Sequence, residues 1–201
     1  MENQKEKTEK LRQIKTELLS LKKSPLYQFR VDNKFFPVIG EDNHEAKIMF
    51  VGEAPGRNEA KTGRPFCGAA GKILDELLAN VGINRPDVYV TNIVKDRPPQ
   101  NRDPLPEEIV CYGPFLDRQI EILQPKVIAT LGRFSMRYIL EKFGLPEAIK
   151  PIGELHGKIF GGETDYGQIT IIPFYHPAAA IYDRSLLETL KKDFAILKDY
   201  R

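Results

Sequence analysis

The sequence predicts an α/β fold, a three-layer αβα sandwich around a central four-stranded, mainly parallel sheet. Three observations carry this. Four short apolar runs, Lys47 to Val51, Val88 to Val90 leading into Thr91 and Asn92, Val127 to Leu131 and Ile169 to Ile172, are rich in β-branched residues and read as buried strands. The segments between them are long enough for crossover helices and carry apolar stripes at helical spacing. Strand and helix alternate four times, the pattern of a parallel sheet covered on both faces.

Each element has its own justification. Met1 to about Lys10 reads as a charged, mobile tail, after which Leu11, Ile14, Leu18 and Leu21 form one stripe of a helix packed on the body. Gly71 to Asn80 is helical and stops at Val81 and Gly82, the glycine taking a left-handed conformation. Leu116, Ile120 and Leu123 make a second stripe, ended by Pro125, and Phe134 to Phe143 a third helix ended by Gly144. Gly161 to Gly167 reads as a hairpin tip. The last helix opens with Ser185 and Glu188 in capping-box spacing and buries Leu187, Leu190, Phe194 and Leu197. At 201 residues and 41% hydrophobic composition, one core and a single domain over 1–201 are expected.

Composition narrows the function classes. Two cysteines, Cys67 and Cys111, make no disulfide framework and read as small buried residues. No apolar run approaches the roughly 18 residues of a membrane span, and the charged N-terminus lacks the apolar core of a secretory signal, so a cytoplasmic protein is expected. A net charge of +2 is too mild to indicate nucleic acid by itself, and any such partner has to be met by a local basic patch.

The stretch GEAPGRNEAKTGRPFCGAAG, Gly52 to Gly71, fits neither the phosphate-binding P-loop nor the dinucleotide fingerprint. Ligands of parallel sheets sit beyond the carboxyl ends of the strands, and reading those ends in turn yields Gly52 and Glu53, Asn92, Gly132 and His176. Taken singly, Glu53 reads as a helix-terminus carboxylate, Asn92 as a turn residue, Phe66 as core and His176 as a structural histidine. Their co-location with Arg57, Lys61, Arg64, Lys95, Arg97, Arg102 and Arg184 points instead to a small pocket with a basic rim. An aromatic face, an amide that both donates and accepts, and an imidazole are suited to reading one planar heterocycle by its edge, and the rim implies that the heterocycle is attached to nucleic acid.

The motifs GEAPG (52–56), E-x-x-x-G-R-P-F (59–66), TNIVK (91–95), RPPQNR (97–102), PKVIATLG (125–132) and YHPAA (175–179) occur in an order that resembles the uracil-DNA glycosylase superfamily, most closely its family 4, a class that normally carries an iron–sulfur cluster. The resemblance covers nearly the whole chain from about Leu18. It implies an enzyme that flips deoxyuridine out of DNA and hydrolyses its N-glycosidic bond to start base excision repair. By that resemblance Phe66 stacks on the base, Asn92 pairs with the uracil edge, and His176 donates to O2 of the departing uracil. Gly52 and Ala54 border the substrate, Glu53 positions sugar and water, Glu59 guards C5 against a methyl group, and Asn101 is a further candidate for holding the water. Better-known members place an aspartate where this chain has Ala54, so Glu53, Glu59 and Asn101 stand together, unranked, as the groups acting on water. Ala60 is a second departure from the family pattern.

The four cluster cysteines of the family fall on Leu21, Ser24, Asp96 and Tyr112. Thiolate is what such clusters require, so neither cofactor nor metal is expected, and packing of Leu21, Leu26 and Tyr112 is expected to hold the loops. For DNA, Ile181 and Tyr182 are the wedge candidates, Arg184 a phosphate contact, and the helix start Gly68 to Lys72 a phosphate site on free N–H groups. The expected partner is single- or double-stranded uracil-containing DNA, bound by a monomer. Hypoxanthine or xanthine excision, and DNA binding with weak catalysis, remain as alternative readings.

Overall fold

The structure is a computed structural model and describes residues 4–200. Its first helix, α1 (Gln4–Leu19), begins well before the expected start near Lys10. Residues 4–10 are therefore helical rather than a tail, docked by Lys7 Nζ on the Leu123 carbonyl (3.2 Å) and by Thr8 Oγ1 against His44 Nδ1 (2.8 Å), while residues 1–3 lie outside the described residues. A short α2 (Tyr27–Asp32) and an edge strand β1 (Glu41–Asp42) lead to β2 (Ile48–Gly52), α3 (Arg57–Thr62), α4 (Ala69–Asn80) and β3 (Tyr89–Asn92). There follow α5 (Pro106–Leu123), β4 (Val127–Leu131), α6 (Arg133–Lys142), α7 (Ile152–Leu155), the hairpin β5 (Phe160–Thr164) and β6 (Gly167–Phe174), then α8 (Ala179–Tyr182) and α9 (Ser185–Phe194).

The sheet has the order β1-β3-β2-β4-β6-β5. The four expected strands form its parallel centre, and β1 and β5 extend it antiparallel at the two edges, giving six strands rather than four. Two-residue β1 has too little pattern to be read from sequence, and β5 (FGGET) lacks the β-branched density of a buried strand because an edge strand need not be buried on both faces.

Alternation along the strands builds the two outer layers. Met49, Val51, Ile128 and Ile171 pack with α1, α5 and α6, whereas Ile48, Phe50, Ala129 and Ile172 pack with α4 and α9. The stripes of α1, α5 and α9 bury the predicted residues, except that Leu21 lies beyond the end of α1 and is only half-buried, Leu187 is half-buried, and Leu197 is buried in the helical turn after α9 rather than on it. The Ser185–Glu188 capping box does not form. Asp183 Oδ1 accepts from both the N–H (2.9 Å) and the hydroxyl (2.6 Å) of Ser185, a nearer carboxylate doing the capping.

The chain passes from β2 to β3 on one side and then returns to place β4 on the other side of β2. Since α4 lies on one face and α6 on the other, the loops after β2 and β4 diverge and leave a crevice at their carboxyl ends. Glu53 stands at that point, opposite Gly132.

Candidate active site

A cleft of about 480 Å³ opens there, lined by Glu53, Ala54, Glu59, Phe66, Asn92, Asn101, Arg102, Asp103, His176 and Tyr182 among others. Another of about 450 Å³ beside α1, lined by Arg12, Lys15, Phe36 and His44, gathers none of the strand-end residues. Of the polar groups read off the strand ends, the first cleft unites the carboxylate, the amide and the imidazole.

Its floor depends on glycine. A Cβ on Gly52 would stand 2.3 Å from Asn92 Oδ1 and 2.8 Å from Phe66 Cζ, so only a bare backbone lets the amide and the ring sit side by side. Asn92 is buried, and its Oδ1 has no hydrogen-bond partner. An orphaned buried acceptor costs roughly 1–3 kcal/mol, so a ligand that supplies an N–H recovers this. Phe66 is held with φ 49°, a strained left-handed conformation for a bulky residue. Its carbonyl lies against Gly71, where a Cβ would come within 1.7 Å of the oxygen, which explains a glycine in the first turn of α4. The Phe66 ring stacks near His176, with centroids 5.6 Å apart and planes inclined by 26°.

His176 Nδ1 accepts the Ala178 N–H at 3.1 Å, which leaves the ring proton on Nε2. Desolvation by the surrounding protein lowers its pKa to about 4, although part of the ring faces the cleft. The imidazole is therefore a neutral donor at neutral pH. Glu53 Oε1 accepts the Phe134 N–H at the start of α6 (3.3 Å), and Gly132, at φ 100°, makes room: a Cβ there would meet Oε1 at 2.3 Å. Burial raises the Glu53 carboxyl above the ordinary carboxylate range, with nearby Asp103 adding to the rise and the α6 N–H groups opposing it.

Glu59 accepts the Gly68 N–H at 2.9 Å. The start of α4 thus already holds a carboxylate, and the expected phosphate site at Gly68 to Lys72 loses that N–H group; Lys72 itself is exposed. Asn101 is exposed, adopts φ 55°, and its Oδ1 accepts from Arg97 Nε at 2.7 Å. The Arg97 guanidinium lies over the Phe35 ring, and burial together with the neighbouring Arg57 charge lowers its pKa. Arg57 has no ion-pair partner among the described residues, so these two cations converge without a carboxylate between them.

Lys61 and Arg184 are exposed, as are Ile181 at 44% and Tyr182 at 90%. Arg64 pairs with Glu41 (2.8 Å), and Arg102 is paired through both nitrogens with the buried Glu108, which also caps α5, so this arginine braces its loop. Lys95 departs most from the sequence reading: instead of joining a basic rim it is fully buried. Cys67 is exposed and Cys111 half-buried, against the expected buried pair, since both fall where loop and helix surface face outward. Asp103, which sequence reading passed over, lines the cleft and pairs with Arg133.

Three of the four positions matched to cluster cysteines converge. Leu26 N–H donates to Ser24 Oγ (3.1 Å), Ser24 meets the Tyr112 hydroxyl, and Tyr112 donates to Asp96 Oδ2 (2.5 Å). Arg30 closes the chain on Asp96 at 3.0 Å and donates to the carbonyls of Leu18 and Leu19. Ser24 N–H, in turn, bonds the Leu21 carbonyl, bringing the fourth position alongside. All the polar side chains here are buried, mutually satisfied and without thiolate, a donor set that does not fit an iron–sulfur cluster. The expected packing of Leu21, Leu26 and Tyr112 is present, but a polar chain through Asp96 and Arg30, which sequence reading missed, runs between them.

The chain is similar in sequence to known proteins over most of its length. A Type-4 uracil-DNA glycosylase of Sulfurisphaera tokodaii is 47% identical over 190 residues, spanning 94% of this chain and 84% of the relative. One from Archaeoglobus fulgidus is 44% identical over 186 residues (92% and 90%), and one from Thermotoga maritima 42% over 173 residues (83% and 85%). The family model of the Uracil DNA glycosylase superfamily matches residues 39–198, from the approach to β1 through the last helical turn, and the chain belongs to that superfamily.

Proposed function

We infer that this chain excises uracil from DNA, hydrolysing the N-glycosidic bond of an extruded deoxyuridine and leaving an abasic site for base excision repair. The observation that carries the reading is the buried, unpartnered Asn92 Oδ1 in the cleft. Uracil offers N3–H to that oxygen and O4 to the amide nitrogen. Cytosine turns a bare N3 and an amino group toward the same atoms, so acceptor meets acceptor and donor meets donor. Phe66 supplies the stacking face, and the neutral Nε2–H of His176 stabilises the charge that collects on O2 as the N1–C1′ electron pair leaves with the base. Water completes the reaction at C1′, its proton passing to a carboxylate.

Glu53 suits that last role better than Glu59 or Asn101. Its raised pKa makes it a stronger base than an ordinary carboxylate and its bond to the Phe134 N–H is long (3.3 Å), whereas Glu59 is held closer on the Gly68 N–H (2.9 Å) and Asn101 Oδ1 on Arg97. Arg57 and Arg97 take backbone phosphates, and Tyr182 with Ile181 fills the gap left by the flipped base. The Ser24–Tyr112–Asp96–Arg30 chain stands in for a cluster, so the enzyme acts without a metal, as a monomer, inside the cell where its DNA is.

The test is release of base from oligonucleotides carrying uracil, thymine, hypoxanthine or xanthine, followed by alkaline scission. Scission at uracil and little at thymine is expected; scission confined to the purines, or tight binding without scission, overturns the reading. The pH dependence is a second expectation. As pH rises the single-turnover rate climbs through an acidic limb lying above the ordinary carboxylate range, as Glu53 ionises, and is then level through neutrality because His176, at about 4, is already neutral. Glu53→Gln removes the limb; a limb near 6.5 that persists in this variant contradicts the assignments.

A further inference from the structure

Lys95 is fully buried beneath the end of β3, three residues after Asn92. Its Nζ lies 2.6 Å from the Asn92 carbonyl, 2.8 Å from Thr91 Oγ1 and 2.5 Å from Gln119 Oε1, with the Ile39 carbonyl at 3.4 Å. The partners are themselves oriented. Thr91 donates its hydroxyl proton to the Ile39 carbonyl (2.6 Å), and Gln119 spends its amide nitrogen on that same carbonyl (2.9 Å) and on the Tyr89 hydroxyl (3.0 Å). Each therefore presents an oxygen lone pair to Nζ. Three acceptors require three N–H bonds, and only an ammonium has three. Burial pulls the group toward neutrality, but a neutral amine would turn its own lone pair onto one of these oxygens.

No carboxylate is among the four oxygens around Nζ. A positive charge thus stands uncompensated by its immediate neighbours, behind the residue that reads the base edge. It is fully buried and is not among the residues that line the cleft, so phosphate contact does not explain it. The reaction creates a negative charge on that same base.

We propose that Lys95 is a positioning and electrostatic residue of the uracil-excision reaction: its buried ammonium fixes the Asn92 peptide at the end of β3 and stabilises the uracil anion from behind the base-reading amide. The cage of carbonyl, hydroxyl and amide oxygens keeps the charge without neutralising it, an arrangement organised before the substrate arrives. The inference rests on the uracil-excision reading, and the experiment separates the two.

Single-turnover release of uracil and of 5-fluorouracil from otherwise identical DNA is compared in the unaltered chain, in Lys95→Met and in Gln119→Glu, which sets a counter-charge against the ammonium. A better leaving group depends less on the lost stabilisation. Release of uracil should slow roughly 10–100-fold in Lys95→Met, and the 5-fluorouracil to uracil rate ratio should rise at least about fivefold in both variants. A purely structural role slows both bases by one factor and leaves the ratio where it was, and that result overturns the proposal. If Lys95→Met does not fold, the ratio in Gln119→Glu and the charge state of the Lys95 Nζ, read by nitrogen NMR on the unaltered chain at neutral pH, decide: an ammonium supports the proposal and a neutral amine ends it. Absence of uracil release by the unaltered chain would instead remove the reading of function on which it stands.

Discussion

His176→Ala lowers the single-turnover rate of uracil release by roughly 10²–10³-fold while DNA affinity stays within about threefold, the expected signature of a donor that acts on charge developing only in the transition state. The ring is set for this before substrate binds. The Ala178 N–H occupies Nδ1, the proton is thereby on Nε2, and burial holds the pKa near 4 so that no second proton is carried at neutral pH. A neutral imidazole has no positive charge to lose, which is why ground-state binding of DNA changes little. His176→Gln, which keeps an N–H donor on a shorter reach, recovers part of the rate. The check is a quench-flow rate beside an affinity measured on a non-cleavable deoxyuridine analogue; equal losses in the two would mean that the side chain shapes the site rather than stabilising the leaving base. The partial stacking with Phe66 makes circular dichroism of the variant a necessary companion measurement.

Asp96→Ala is expected to destabilise the fold by about 3–5 kcal/mol, because it strands the buried Arg30 guanidinium and removes the acceptor of Tyr112. Tyr112→Phe interrupts the same chain between neutral groups and one carboxylate and should cost less, about 1–3 kcal/mol. The pairing ties α2 and the Ser24 turn to α5 and to the start of the loop carrying Arg97 and Asn101, elements far apart in sequence. Replacing both Arg30 and Asp96 by Met and Leu should return most of the stability, since the cost lies in an unpaired buried charge rather than in the loss of the pair as such. Urea unfolding of the four proteins measures this. A loss below about 1 kcal/mol in Asp96→Ala would show that the apolar packing of Leu21, Leu26 and Tyr112 holds these segments without the polar chain.

The cleft illustrates what could be read in advance. Residues at strand ends were legible because a parallel sheet sends every carboxyl end to one edge, so Glu53, Asn92 and His176 meet whatever the details of the loops. The roles of the cations were not legible. Arg102, Arg64 and Lys95 have the composition of a basic rim, yet one is spent on Glu108 six residues on, one on Glu41 23 residues back, and the third turns beneath the sheet to Gln119, 24 residues away, outcomes that only side-chain placement decides. Asn101 could be placed at the rim but not assigned its bond to Arg97. The edge strands β1 and β5 escaped for a simpler reason, since a short edge strand carries almost no hydrophobic alternation.

By itself the sequence determined the α/β class, the four parallel strands, the helices packed against them, the family and the groups at the strand ends, because hydrophobic period and motif order are local properties of the chain. Tertiary structure alone decided the orphaned Asn92 oxygen, the tautomer and lowered pKa of His176, the raised pKa of Glu53, the burial of Lys95 and the Ser24–Tyr112–Asp96–Arg30 chain. The physical reason is that desolvation and hydrogen-bond satisfaction are set by neighbours in space. Gly52 shows both sides at once: its place after a strand could be read from the sequence, but only the structure reveals that a single methyl group there would displace the amide that reads the base.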